Sequence, residues 1–429
     1  MSASLLREVV AMTKLGVLSV LALVTLAGCG SDSSGGSASP SNGAGGSSGS
    51  GNAAGGSGNA MNGGSGNGGS GNGGSGTGSG GGSVSPTGKA AVIAGCPMLP
   101  DDHVFNTPID GLPVDPGSAG YMDTIGSVRI HLDLGQNEDI TQTDTYWGIP
   151  YNVVHGNSLA WASADYTTTD TGMDWNPRDE SDCVVAGDHA SIIAPCAQGS
   201  APAPVFPIPA SPLVEGGIFP DDASSEYGDH HLLLLDANTC RLWELYHAYT
   251  GPGGTWHIFG SATFDLRSNT LRPDTWTSAD AAGFPILPLL LRADEASSGE
   301  IRHALRFTID SSSIRTSYTW PARHLTGNGT DSATLPPMGQ LFRLKSSFQI
   351  PASYGTQSKA ILGALQKYGM YLADGGSNLY VQGEPSAKWS DAIFDEVQSV
   401  SSDQFEAVDT SPIRKRAGFD PDSGAVPGP

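Results

Sequence analysis

Short runs in which apolar and polar residues alternate recur along the chain from about residue 90 onward. In residues 127–134 every second side chain is apolar, which predicts a strand with one buried face. Residues 230–235 carry leucines at both parities, which is typical of a strand covered on both faces. Residues 205–209 lie among prolines and predict an extended or edge segment. Together these patterns predict a mainly β domain, arranged as a β-sandwich or a jelly roll.

Helical spacing of apolar residues occurs late in the chain. Residues 358–368 place apolar side chains on one stripe and are followed by Gly369, a residue suited to the left-handed end of a helix. Ser390 is a suitable N-cap for a second helix that extends to about Val400. We therefore expect a few peripheral helices near the C-terminus.

The segment 229–249 predicts a β-hairpin, because two apolar runs flank a polar loop. A loop with an even number of residues places His231, Glu244 and Tyr246 on one face, whereas a three-residue loop places His231 with Trp243. We favour the even loop, because no glycine supplies the positive φ that an odd loop usually needs.

The even register suggests a catalytic group. A carboxylate at Glu244 could orient the imidazole of His231 and raise its basicity, and Tyr246 could return a proton. The alternative is that His231 is a hydrogen-bonded core residue. Asp229 and His230 could join His231 at a divalent metal, but strand alternation sends adjacent imidazoles to opposite faces, so we predict no metal site.

Residues 300–309 predict another strand, with Arg302, Arg306 and Thr308 on a solvated face. The two arginines would lie about 13 Å apart and could contact successive anionic groups of a polymer. The alternative is that both pair with some of the many carboxylates of the chain. Further candidates for substrate binding are Arg323, His324 and Trp276.

Several common metal- and cofactor-binding motifs are missing from the sequence outside its glycine-rich segment. There is no zincin helix motif, no phosphate-binding loop and no dinucleotide glycine pattern outside the glycine-rich segment, so we predict no cofactor. Residues 420–424 begin like a calcium loop but lack an acidic closing residue. We expect them to form a frayed tail.

The sequence Leu26-Ala27-Gly28-Cys29 follows an apolar run and resembles a bacterial lipobox. The resemblance implies a signal peptide at residues 1–28, cleavage before Cys29, lipidation of its thiol, and anchoring to a membrane. Gly30 follows the cysteine, and by the same resemblance this favours the outer membrane of a Gram-negative bacterium. The alternative is an ordinary secretory signal that leaves Cys29 as a spare thiol.

Residues 30–87 consist almost entirely of Gly, Ser, Asn and Ala. Such a segment has almost no apolar surface to bury, so nothing offsets the entropy of ordering it. We predict a lipidated cysteine and a disordered tether at residues 29–89, followed by a single large β-rich domain at residues 90–429.

The chain is acidic, with 43 Asp and Glu against 21 Lys and Arg and a formal charge of −22. This charge repels phosphates, so we expect no nucleic-acid partner. The lipid anchor would make the membrane one partner, and a polysaccharide is a candidate for the other.

The cysteines predict a disulfide framework. Apart from Cys29, four cysteines remain in a chain expected to reach an oxidising compartment. Three pairings are possible, and we favour Cys183 with Cys196 because of their short spacing, which leaves Cys96 with Cys240.

Several sequence runs between residues 228 and 384 resemble a family of secreted bacterial proteins, some of them lipoproteins, without an assigned activity. The runs are DHHL at 229–232, RLWELY at 241–246, FDLRSN at 264–269, IRHALRF at 301–307 and KYGM at 367–370. The resemblance covers most of the domain and implies a unit independent of its tether. It assigns no catalytic residue.

Two functions of different classes follow from these observations. The first is a surface-anchored carbohydrate-active enzyme, a hydrolase or a lyase, in which His231 and Glu244 act as acid and base. The second is a non-catalytic carbohydrate-binding or adhesion module. Convergence of the candidate residues on one cleft would favour the enzyme.

Overall fold

Alternating strand patterns and short turns produce a domain built mainly from β-sheets. The computed structural model describes residues 89–135, 148–166, 177–196, 203–217, 229–327 and 329–428, and the predicted signal peptide, Cys29 and most of the tether lie outside them. All described residues belong to one compact unit, Gly76–Pro429.

The described strands are numbered along the chain. They are β1 Val92–Ile93, β2 Cys96–Pro97, β3 His131–Asp133, β4 Tyr151–Val154, β5 Ala162–Tyr166, β6 Val184–Val185, β7 Pro204–Phe206, β8 Leu232–Asp236, β9 Arg241–Tyr246, β10 Tyr249–Thr250, β11 Trp256–Ile258, β12 Gly260–Asp265, β13 Leu305–Ile309, β14 Arg315–Tyr318, β15 Pro337–Met338, β16 Leu341–Leu344, β17 Met370–Gly375, β18 Tyr380–Gln382 and β19 Phe405–Ala407.

The α-helices in the same part of the chain are short. They are α1 Ser118–Ile125, α2 Ile286–Leu289, α3 Ala293–Ser298, α4 Thr356–Lys367, α5 Ala392–Val397 and α6 Ser411–Arg414. The mainly β class with few helices, some of them near the C-terminus, is therefore confirmed. Within the described residues, no helix is both long and apolar enough to cross a bilayer.

Three larger sheets organise the described residues. One has four strands in the order β12-β9-β8-β4, one has five in the order β10-β11-β5-β7-β6, and one has six in the order β19-β16-β17-β13-β18-β3. Four strand pairs in these sheets are parallel: β4 with β8, β5 with β11, β13 with β17, and β3 with β18. Alternation along a strand does not predict these parallel pairs. The sandwich or jelly-roll arrangement stays a prediction.

Strand β8 is buried on both faces, as its leucines predict. Leu233 and Leu235 belong to the larger hydrophobic cluster, which also covers the six-stranded sheet, while Leu232 and Leu234 belong to a smaller cluster around the five-stranded sheet. The four-stranded sheet therefore lies between two hydrophobic cores. Burial of this kind contributes about 25 cal/mol per Å² of apolar area.

The hairpin of β8 and β9 has the even register. Asp236 pairs with Arg241 and Leu233 pairs with Glu244, so His231 lies diagonally from Glu244 along the same face. The side chain of Asp236 accepts hydrogen bonds from the amide of Asn238 and the hydroxyl of Thr239, which closes the turn.

The predicted disulfides are both present. Cys96 is joined to Cys240 and Cys183 to Cys196. The first bridge connects the start of the described domain to the β8–β9 turn, and the second lies beside β6.

Four local predictions need correction. The segment around β7 is extended, as predicted, but β7 lies between β5 and β6 and is therefore not an edge strand. Helix α5 begins after Asp391, and Ser390 does not cap it. Residues 420–424 are not frayed, because Gly424 donates its amide to the carbonyl of Asn269 and Thr270 forms a bridge with Ser423.

The fourth correction concerns residues 300–309. Only Leu305–Ile309 form the strand β13, which lies between β17 and β18 and is buried on both faces. Arg302 precedes it and is exposed, whereas Arg306 has only 1% of its surface exposed. The alternation correctly predicted which side chains share a face of the strand. It did not predict that a second layer of the protein covers the face expected to be solvated.

Candidate functional site

A cleft of about 400 Å³ opens where one edge of the four-stranded sheet meets the carboxyl ends of β13 and β17. Asp229 and Tyr246 reach it from the open ends of β8 and β9, and Asp374 reaches it from the end of β17. Glu180 and His324 line the remaining polar wall. Three carboxylates, a phenol and an imidazole thus face one concave space, which is the usual form of a small-molecule or active site.

Asp374 is held by backbone amides. One carboxylate oxygen accepts from the amide of Ala281 at 3.1 Å, and the other accepts from the amide of Gly375 at 2.7 Å. Burial raises the pKa of Asp374 to about 7, and the nearby charge of Asp280 adds to this, while Arg306 opposes it. A carboxyl group with this pKa can donate a proton near neutral pH.

Asp229 lies in a different environment at the same cleft. Its side chain is exposed, and the hydroxyl of Tyr246 donates to one of its carboxylate oxygens at 3.3 Å. Burial, together with the charges of Asp229 and Asp374, raises the pKa of Tyr246 well above its ordinary value. Tyr246 therefore remains a neutral hydrogen-bond donor to Asp229.

The segment 278–282 organises the back wall of the cleft. The carbonyl of Ala279 accepts from Nε2 of His231 at 2.9 Å, and the carbonyl of Ala281 accepts from Nδ1 of His324 at 3.0 Å. Asp280 binds Nε of Arg306 at 2.9 Å. One short loop thus positions the groups that converge here.

The carboxylate partner of His231 is Glu215, which corrects the prediction of Glu244. Nδ1 of His231 lies 2.6 Å from a carboxylate oxygen of Glu215, and Nε2 faces the carbonyl of Ala279. Burial lowers the pKa of His231, but the charge and hydrogen bond of Glu215 outweigh this and raise it to about 9. Both ring nitrogens therefore carry protons at neutral pH, so the geometry does not support a general base at His231.

Glu244 caps a helix instead of facing the cleft. Its carboxylate accepts from the amides of Ile286 and Leu287, the first residues of α2, at 2.8 and 3.0 Å. Burial raises the pKa of Glu244 to about 7, and these two hydrogen bonds oppose the shift. Its role in this geometry is to satisfy buried amides at a helix start.

Most of the predicted substrate-binding residues do not reach the cleft. Arg302 pairs with Glu300 on the surface, and Arg306 is buried against Asp280. Arg323 binds the carbonyl of Pro421 and the carboxylate of Asp422. Trp276 lies over the guanidinium of Arg272 at 5.5 Å. Of the predicted site residues, Tyr246 and His324 line the cleft.

Sequence reasoning missed Asp374, Glu180 and Glu215. Asp374 follows the buried run Met370–Ala373 and precedes two glycines, so it carried a usable signal: a carboxylate at the end of a buried strand. Glu180 ends the short 3-10 helix Pro177–Glu180, and Glu215 lies in an irregular segment, so no apolar periodicity marks either residue.

A disulfide-supported segment forms the wall next to Glu180. The amide of Cys196 donates to the carbonyl of Ser181, and the amide of Asp182 donates to the carbonyl of Ser261 in β12. Arg272 binds both the carboxylate of Asp182 and the carbonyl of Glu180. The wall is thus fixed by one ion pair, by β12 and by the Cys183–Cys196 bridge.

The pair of His231 and Glu215 predicts a pH-dependent stability. Because the pKa of His231 is raised from 6.5 to about 9, its contribution is complete below pH 6.5 and is lost as the pH rises through 9. We expect the unfolding free energy to fall over this window by up to about 3 kcal/mol. The measurement is urea unfolding of the wild type and of a His231→Gln/Glu215→Gln double variant. The double variant should lose this slope, and an equal slope in both proteins would contradict the assignment.

No group of three or more His, Cys, Asp or Glu side chains suited to a metal ion occurs among the described residues. Comparisons of the chain with protein-family models, with curated proteins and with solved structures find no match.

Proposed function

We propose that the protein is a glycoside hydrolase that cleaves a neutral polysaccharide outside the cytoplasm. The observation that carries the proposal is the pair of carboxyl groups in unlike environments at one cleft. Asp374 is partly buried and held by two amides, whereas Asp229 is exposed and receives a hydrogen bond from Tyr246. Glycoside hydrolases use two carboxyl groups whose environments differ in this way.

Asp374 would be the general acid. In the proposed reaction its proton passes to the glycosidic oxygen as the bond to the anomeric carbon breaks. Asp229 would accept a proton from the water that attacks that carbon, so one water is consumed and two sugar hydroxyl groups form. The hydroxyl of Tyr246 holds Asp229 in place.

The charge of the cleft favours a neutral substrate. Glu180, Asp229 and Asp374 line it, with His324 as the basic side chain among the lining residues. An anionic polymer would be repelled here. The arginines that sequence analysis assigned to an anionic chain are paired with carboxylates elsewhere, so a hydrolase of neutral glycans suits the site better than a lyase of uronic acids.

Residues outside the described part of the chain support the proposed location outside the cytoplasm. Lipidation of Cys29 would anchor the protein to a bacterial membrane, and the glycine-rich tether would let the domain reach a surrounding polymer. The membrane, through the lipid, and the polysaccharide are the proposed partners.

The test is incubation of the purified protein with neutral glucans, xylan and mannan, and with pectate and alginate as anionic controls. We expect new reducing ends from a neutral polymer and products that have gained one water by mass spectrometry. Unsaturated products from the anionic polymers would identify a lyase. If the protein retains a polymer but releases no product, the protein is a binding module and not an enzyme.

A further inference from the structure

A buried carboxyl group, that of Asp280, lies beside a buried guanidinium next to the cleft, and the partly buried Asp374 lies near both. Asp280 has 0% and Arg306 1% of its surface exposed, and Nε of Arg306 lies 2.9 Å from the carboxylate of Asp280. Nη1 of Arg306 also donates to the side-chain oxygen of Gln382. Asp374 is close enough for both Asp280 and Arg306 to affect its ionisation, but no direct ion pair joins Asp374 to Arg306 among the described contacts.

The backbone links the two carboxyl groups directly. Asp280 accepts from the amide of Ala282, and the amide between them, that of Ala281, donates to Asp374. The hydroxyl of Ser278 donates to the carbonyl of Asp280 and so closes the same turn. A change at Asp280 therefore reaches Asp374 through both charge and backbone position.

We propose that Asp280 and Arg306 are positioning residues for Asp374. The carboxylate of Asp280 binds the guanidinium of Arg306, and Asp374, which forms no direct ion pair with Arg306 among the described contacts, stays available as the proton donor. Because Arg306 contacts Asp280 and not Asp374, it is Asp374 that serves as the acid. This inference rests on the proposed function in one respect only, that the proton of Asp374 is transferred to a glycosidic oxygen.

Other charged groups also face Asp374. Asp229 adds to its negative surroundings, and the hydroxyl of Tyr246 donates to Asp229. Glu180 and His324 share the cleft. Glu215 acts on Arg306 from the side of His231. These groups are unchanged by substitution at Asp280, so a comparison of variants isolates the ion pair.

The test is the titration of Asp374 followed by carbon NMR of aspartate carboxyl groups, with Asp374→Asn to identify its signal. In Asp280→Asn the negative neighbour is lost and Arg306 is released. We expect the titration of Asp374 to move to lower pH by about one to two pH units. The control is Glu406→Gln, which alters the arginine–carboxylate pair of Arg343 and Glu406, neither of which lines the cleft, and should leave the Asp374 titration in place.

A second variant acts in the opposite direction and covers the case that Asp280→Asn does not fold. Gln382→Glu is nearly isosteric and gives Arg306 another carboxylate, so the Asp374 titration should move to higher pH. An unchanged titration in a folded Asp280→Asn or Gln382→Glu variant would overturn the proposal. Because the readout is spectroscopic, it separates this inference from the proposed function, which would fail by showing no glycan cleavage.

Where cleavage is measured, the pH profile gives a further check. The acid must be protonated, so activity falls as the pH rises through the pKa of Asp374. That fall should occur at lower pH in Asp280→Asn and at higher pH in Gln382→Glu. A uniform loss of rate with an unmoved profile would mean that the ion pair is merely structural.

Discussion

Replacement of Asp374 by asparagine is expected to lower kcat on a polysaccharide by about 10²- to 10⁴-fold, the usual contribution of a general acid. Asparagine has nearly the same shape and can still accept from the amide of Ala281, but its amide cannot supply the proton. The rate on an aryl glycoside with a good leaving group should fall much less, because departure of that group needs no protonation.

The measurement is the initial rate on both substrates, with Asp310→Asn as the matched control. Asp310 is an exposed carboxylate after β13 that binds the amide of Ser312 in its own turn, so its replacement should leave both rates unchanged. Equal losses on the polymer and on the aryl glycoside would argue against an acid role for Asp374. An unchanged kcat on the polymer would remove Asp374 from the mechanism.

Removal of the Cys96–Cys240 disulfide is expected to give the largest loss of stability. The bridge spans 144 residues, and the chain-entropy estimate for such a loop is about 5 kcal/mol. The Cys183–Cys196 bridge spans 13 residues, and its expected contribution is about 3 kcal/mol.

Both cysteine pairs should be changed to alanine in separate variants and unfolded in urea under identical conditions. The Cys96→Ala/Cys240→Ala variant should unfold at the lower urea concentration. The opposite order would show that native packing around the bridges, and not the entropy of the unfolded chain, determines their contributions.

Local features of the fold could be predicted from the sequence. The β8–β9 register followed from period-two alternation and the absence of glycine in the turn. Helix α4 ends before Gly369, which has a φ of +74°, because the left-handed conformation there favours glycine. The disulfide pairing followed from spacing.

Contacts between residues that are distant in the sequence could not be predicted. Alternation places Arg306 on one side of β13 but does not say that another layer covers that side. The parallel pairing of β13 with β17 joins segments about sixty residues apart, and that pairing carries Asp374 to the cleft. Glu215 replaced Glu244 as the partner of His231 because an irregular segment folds over the strand, and such segments have no periodic signal.

The link between Cys196 and Ser181 has a consequence for when the protein becomes competent. The Cys183–Cys196 bond is one of three features that fix the cleft wall beside Glu180, so newly made chains held under reducing conditions would lack part of that support. Full ordering of this wall would then follow thiol oxidation, a reaction that takes place in oxidising compartments.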